Sequence, residues 1–433
     1  MLNKKFFIVF LSFVLLSVFV LSCGNRSKTD GNNRNFFSSF FSNNKIEEET
    51  ISYEVDCEPI LGFDGQLFPS VILSTALSSK INEMTWEYNS IGNNKSFLGC
   101  NIFILTSSEN LYEIPVRLEI EGERYISKSV LEAIIDPNNY YKLYPDIVFN
   151  YSLIEGIIQP NLENITYRIY CFNNLEREFT KTIQFRSINE VPFLYMQDNG
   201  NIIDISFLFA AFVNEDNPII DQLLKEALDV GIISVINGTR RNDNSFSGYQ
   251  KDSNGVVDQV FAVWNVLQRR GIKYSSITTT SSAETRLRSQ YVRNLTDTLN
   301  SNQANCVDGS VLFASVLRKI GIDTFLVLVP GHMMVGFWDD RSHTDPYVIE
   351  TTMLGNTDLD KYVDDKTFLL GGLAWLFGSS RNEVSRTEFM YALEVGRNRY
   401  KNNIEEFYDP YNDDYQIIDI SELRREGIKP IPR

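Results

Sequence analysis

Histidine is almost missing from this chain: among 433 residues there are two, His332 and His343. A histidine-rich metal centre is excluded, and any chemistry that needs an imidazole base has two candidates. No Lys/Arg-rich run of the kind that tracks a phosphate backbone occurs, and 40 basic side chains face 56 acidic ones, for a formal charge of −16. That balance disfavours nucleic acid as a partner. The phosphate-loop pattern GxxxxGK[ST] is absent, so nucleotide-dependent readings fall away. No metal-ligand set stands out, and no cofactor is expected. What the chain has is apolar bulk. Hydrophobic residues make up 43% and charged ones 22%, which excludes a disordered or fibrous protein. Thirty Phe and 21 Tyr can fill more than one core, and the length points to two or three domains.

The first residues carry an address. Lys4 and Lys5 precede an apolar run from Phe6 to Leu21, broken only by Ser12 and Ser17. Its sixteen residues are short for a transmembrane helix of ~20 but fit a signal-peptide core. The run ends Val20-Leu21-Ser22-Cys23-Gly24, which resembles a bacterial lipoprotein box. The resemblance implies cleavage after residue 22, lipidation of Cys23 and a lipid-anchored place in the cell envelope, periplasmic or surface-facing. An uncleaved anchor and an ordinary cleaved signal are the alternatives. Residues 23–50, rich in Asn, Ser and Lys and ending in Glu47-Glu48-Glu49, lack helical or strand period and read as a flexible tether.

Cysteine is scarce as well: Cys23, Cys57, Cys100, Cys171 and Cys306. Export permits disulfides, but the spacings match no framework. Cys57, Cys100 and Cys171 share the first folded region and cannot all pair with one another. They read as small buried side chains, with one disulfide open to them.

Two folded regions follow the tether, 51–190 and 191–433. In the first, Ile102–Leu105, Val116–Ile120 and Tyr167–Tyr170 are β-branched or aromatic and often alternate, with turn residues between them. This spacing predicts an antiparallel β-sandwich. After Pro192 the period changes. Asp221–Val230 and Val256–Arg270 carry apolar residues at helical spacing, a third helix starts at Cys306, and strands follow. Helices first and an antiparallel sheet afterwards is an α+β order. Phe368–Phe377 is apolar but contains two glycines and is too short to span a bilayer.

The chemistry lies between Gln290 and Thr352. Val307, Val311, Leu312, Ala314, Ser315 and Ile320 mark one side of a helix that Gly321 stops, with Asn302 or Asn305 as its cap. Cys306 then falls in the first turn, where free N–H groups and the helix dipole favour thiolate and can hold an oxyanion. Thr324–Val329 reads as a strand, Pro330-Gly331 as a turn, and His332–Trp338 as the returning strand with His332 at its start. Tyr347–Thr351 reads as a third strand that brings Glu350 within a few residues of His332. A carboxylate there fixes the imidazole tautomer and completes a nucleophile–base–orienter set. Asp308 reads as an N-terminal helix charge, and His343 has no assigned role.

This arrangement resembles the transglutaminase-like superfamily, and most closely a group of bacterial transglutaminase-like proteins. The residues that carry the resemblance are Asn305-Cys306-Val307-Asp308, Pro330-Gly331-His332 with Val335–Trp338, and Glu350-Thr351-Thr352. Trp264–Ser275, Gln290-Tyr291-Val292-Arg293 and the C-terminal Ile418–Pro432 add to it. It covers residues 190–433. It implies a transglutaminase/papain-like α+β fold preceded by the β-sandwich, a catalytic Cys306, His332 and Glu350, and Gln290 as candidate oxyanion-hole amide. The superfamily usually has Asp where this chain has Glu350. The function implied is peptidase, amidase or acyltransferase chemistry through a thioester, on a protein or peptide substrate. A catalytically inactive scaffold or binding lipoprotein is the alternative.

Overall fold

The computed structural model describes residues 52–432 apart from 79, 81–88, 94–97, 109–111, 198–199, 231–244, 251–253, 276–279, 282–285, 365–378 and 410. The signal segment, Cys23, the tether and Phe368–Phe377 lie outside the described residues. Among the described residues no helix is long and apolar enough to cross a membrane.

Alternation builds the first region. Along Asn161–Cys171, Glu163, Ile165, Tyr167, Ile169 and Cys171 are buried while the residues between them are partly exposed, as a pleat with one face inward requires. This strand pairs antiparallel with Asn174–Phe185 on one side and Ile114–Gly122 on the other. Ser129–Ile135 closes one edge of the five-stranded sheet, and Gln66–Leu67 joins the other edge in parallel. A second sheet orders Tyr53–Leu61, Leu98–Thr106, Tyr140–Tyr144 and Ser90–Gly92, the last again parallel. Both sheets feed one core, with Cys57, Leu98 and Ile102 from one and Leu118, Tyr167 and Phe185 from the other. Cys57 and Cys100 form a disulfide between neighbouring strands, and Cys171 is free and buried. The inward-facing Glu163 accepts the backbone N–H groups of Arg124 (2.6 Å) and Tyr125 (2.9 Å), so its charge is not left bare.

The second region is mixed. Glu190–Met196 pairs with Leu287–Tyr291 in a small sheet. Helices Pro218–Val230, Asn254–Arg269 and Cys306–Lys319 share a core with Trp264 and Phe313 at its centre. A four-stranded antiparallel sheet follows, ordered Pro346–Ile349, His332–Trp338, Thr324–Val329 and Gln416–Asp419. Leu326, Met333, Val335 and Phe337 join the core that holds the Cys306–Lys319 helix. Phe325, Val327, Met334 and Val348 form a separate cluster, against which Tyr400 packs. The Arg381–Asn402 helix lies against the edge strand Pro346–Ile349.

The two regions interlock. Phe63, Phe68 and Val71, early in the chain, belong to the second core. The C-terminal tail returns to them: Lys429 N–H donates to Ser74 C=O (2.9 Å) and Lys80 pairs with Glu426 (2.8 Å). The chain from 51 onward is accordingly one α+β unit.

Candidate active site

The site begins with a helix start. Asn305 caps the Cys306–Lys319 helix: its side chain accepts Asp308 N–H (2.8 Å), and the Asp308 carboxylate accepts Asn305 N–H (3.2 Å). Asn302, the other cap considered from sequence, instead ends the preceding helix in a left-handed conformation. Asp308 also accepts Arg293 N–H (2.9 Å), so the strand carrying Gln290 runs on to brace the helix start. Burial raises the Asp308 carboxyl above its usual range, and its bonds to Arg293 and Asn305 only partly oppose this. The capping box occupies the N–H groups of Asn305 and Asp308. It leaves those of Cys306 and Val307 in the uncommitted first turn beside the sulfur.

His332 stands on a tight hairpin. Val329 pairs with His332, so Pro330 and Gly331 are the whole loop, and Gly331 takes φ 68°, a left-handed angle that suits glycine. Two helix residues tie the Cys306 helix to the other elements. Ser310 Oγ donates to the Met333 carbonyl (3.3 Å) and lies 3.4 Å from Thr351 Oγ1. Gly309 lets Thr351 approach, since a Cβ there would stand 3.1 Å from Thr351 Oγ1. One turn of helix thus ties Cys306 to the residue after His332 and to the residue after Glu350.

The acid differs from its expected setting. The third strand ends at Ile349, and Glu350 caps a short 3-10 turn, Thr351–Met353. The chain turns there because the Glu350 carboxylate accepts from Thr352 N–H (3.3 Å) and Thr352 Oγ1 (2.6 Å). His332 Nε2 lies 3.0 Å from Glu350 Oε1 and 2.8 Å from Oε2. With Nε2 on the carboxylate, Nδ1 is the nitrogen left for the sulfur. Glu350 is 4% exposed. Burial alone would raise its carboxyl, but bonding to and the charge of His332, with the Thr352 bonds, hold it below the usual range. For His332, burial pulls the imidazole down. Hydrogen bonding to Cys306 and Glu350 and the charge of both outweigh it, and the imidazole is pushed up to about 9.

The structure brings Cys306, His332 and Glu350 together. Gln290 sits in the neighbouring strand, where its Nε2 donates to the Tyr291 carbonyl (2.8 Å). His343 lies elsewhere, stacked on Trp338 at 4.8 Å and bonded to Asp323 (3.1 Å). Two residues of the site escaped the sequence reading. Arg399 Nη1 donates to Glu350 Oε2 (3.0 Å). Ala392, Gly396 and Arg399 share a helix face at i, i+4, i+7 spacing, but nothing in the sequence pairs that face with Glu350. Tyr274 belongs to a two-residue strand that pairs in parallel with Gln303–Ala304, just before Cys306. Burial, then the negative charges of Cys306 and Glu350, raise its phenol. Nothing in the local sequence marks it. Tyr274, Ala304, Gly309 and Thr351 line a crevice beside the helix start. Among the described residues no group of three or more His, Cys, Asp or Glu is placed to hold a metal ion. No protein-family model matches the chain, and a search of curated proteins finds no match.

Proposed function

We propose that the chain is a lipid-anchored bacterial envelope protein. Its C-terminal region, of transglutaminase/papain-like architecture, cleaves or transfers amide acyl groups through a thioester on Cys306. One observation carries the reading: a half-buried cysteine at a helix start, against an imidazole whose Nε2 is held by a buried carboxylate.

The chemistry follows from the arrangement. His332 takes the thiol proton, and Cys306 Sγ attacks the amide carbonyl carbon. Negative charge develops on the carbonyl oxygen, where first-turn N–H groups stabilise it. Collapse of this intermediate breaks the C–N bond, His332 protonates the leaving amine, and a thioester remains. Water, deprotonated by His332, then releases the acid and restores the thiol. Hydrolysis is the simpler outcome because it needs no second binding site; an amine in place of water gives a crosslink. Glu350 keeps the tautomer and stabilises the imidazolium. The lipid anchor at Cys23 places this chemistry on substrates of the envelope, which are proteins or peptides.

The test is a mass-spectrometric comparison of envelope peptides from wild-type and Cys306→Ser cells. The expected result is a set of cleaved ends or crosslinks that the variant lacks. Identical peptide sets, with Cys306 alkylating like an ordinary thiol, overturn the reading and leave a non-catalytic scaffold. For the anchor, Cys23→Ala is expected to release the protein from membranes or to block its processing; unchanged mass and membrane fractionation refute it.

A further inference from the structure

We propose that Arg399 is a positioning residue of this site, which fixes the Glu350 carboxylate in place and, by its own charge, limits how strongly that carboxylate holds the His332 imidazolium. The inference rests on the acyl-transfer reading above. Glu350 has one more rotatable bond than the aspartate expected in its place, so its carboxylate needs fixing from outside. Thr352, two residues away, holds Oε1 at 2.6 Å. Oε2, which faces His332 Nε2 at 2.8 Å, receives Arg399 Nη1 at 3.0 Å from a residue 49 positions further on.

The helix is placed for this contact. Ala392 C=O accepts Glu350 N–H (3.1 Å). One turn on, Gly396 lies so close to the acid's strand that a Cβ would stand 2.3 Å from Val348 O and 3.1 Å from Glu350 N. Arg399 follows on the same stripe. Backbone and side chain of Glu350 are therefore both held by one helix face. A chance surface pair has no such support, and the 43% exposed Arg399 side chain would add little to stability as a surface pair.

The charge has a second effect. The titratable and charged groups around Glu350 are His332, Cys306, Tyr274, Arg399 and Lys273, which lines the crevice beside Thr351. A guanidinium on the shared oxygen opposes the imidazolium and favours thiolate. Its removal moves the His332 titration up, by roughly 0.5–1 pH unit for a half-solvated charge several ångströms away.

The test uses full-length protein with labelled histidine. With only two histidines, a His343→Gln variant assigns both NMR titrations. Arg399→Gln is expected to raise the His332 midpoint by roughly 0.5–1 unit, to move the pH midpoint of Cys306 alkylation in the same direction, and to slow maximal alkylation several-fold. Arg399→Lys keeps the charge without the guanidinium's reach; it is expected to restore the midpoints but not the maximal rate. Unmoved midpoints in a folded Arg399→Gln protein overturn the proposal, as does a His332 midpoint that falls. If Arg399→Gln does not fold, Arg399→Lys decides: wild-type maximal rate overturns the clamp. The NMR midpoint is read whether or not the protein turns anything over. Slow wild-type Cys306 alkylation, unmoved in His332→Ala, therefore refutes the acyl-transfer reading and leaves the Arg399 contact to be judged by NMR.

Discussion

Cys171 and Cys306 are both unpaired cysteines, and the regions around them treat sulfur in opposite ways. Cys171 ends a central strand, fully buried, and burial followed by the charge of Glu176 pushes its thiol up to about 12. Cys306 opens a helix, half-buried, with an imidazole beside it. The same contrast holds for the carboxylates. Glu163 in the strand-rich region is held by permanent donors, two backbone N–H groups on Oε1 and the Arg124 guanidinium 3.4 Å from Oε2. Glu350 is bound by side chains from the strand, turn and helix around it, and one of them, His332, is an ionisable imidazole pushed up to about 9. A buried acid held by fixed donors is inert; a buried acid held by an ionisable partner can help move a proton.

The sharpest way to break this comparison is to exchange the sulfurs' fates. Cys306→Ala and His332→Ala are each expected to reduce turnover to background, while Cys171→Ala leaves it intact. At neutral pH an iodoacetamide probe should label Cys306 far faster than Cys171 in the folded protein. Equal rates would erase the distinction.

A smaller effect is expected at the acid. Glu350→Gln should leave a folded protein whose activity is lower by ~10²–10⁴-fold, since it removes the imidazolium's counter-charge but not the nucleophile. Glu350→Asp asks about reach: with Thr352 and Arg399 set for the longer side chain, shortening it should also weaken the site. Aspartate at wild-type activity would show that charge alone matters.

In the strand-rich region, Ile169→Ala should cost about 2–5 kcal/mol of stability, as a fully buried branched side chain. The pH profile of Cys306 alkylation should not move below the melting transition. A shifted profile would show that the regions are coupled through more than stability.

The mildest expectation concerns pH. His332 titrates higher folded, at about 9, than its unperturbed 6.5. Its stabilising contribution is therefore fully present below about 6.5 and is lost as pH rises through about 9. The melting temperature of the wild type should exceed that of His332→Ala most at slightly acid pH, and the gap should narrow above pH 9. A gap that widens with pH contradicts the assignment.

Much of the site was legible along the chain because its parts are local signals. An Asn before the apolar helical run is a cap signal, with Asn302 and Asn305 both open to the role, and Pro330-Gly331 between two apolar runs is a hairpin. Cys306 and His332 take their positions from those two signals alone. The α+β order was legible in the change of hydrophobic period after Pro192. Tertiary structure decided the rest. Glu350 left the strand because its own carboxylate bonds Thr352 and turns the chain. Arg399, 49 residues beyond Glu350, and Tyr274 reached the site through helix packing and through strand pairing, contacts that no local pattern encodes. Cys57 chose Cys100 over Cys171 because neighbouring strands bring the first two together, while Cys171 ends a strand of the other sheet. Periodicity and capping are properties of neighbours in sequence and can be read there. Which buried charge meets which partner depends on how the elements pack, and that is settled only when the cores close.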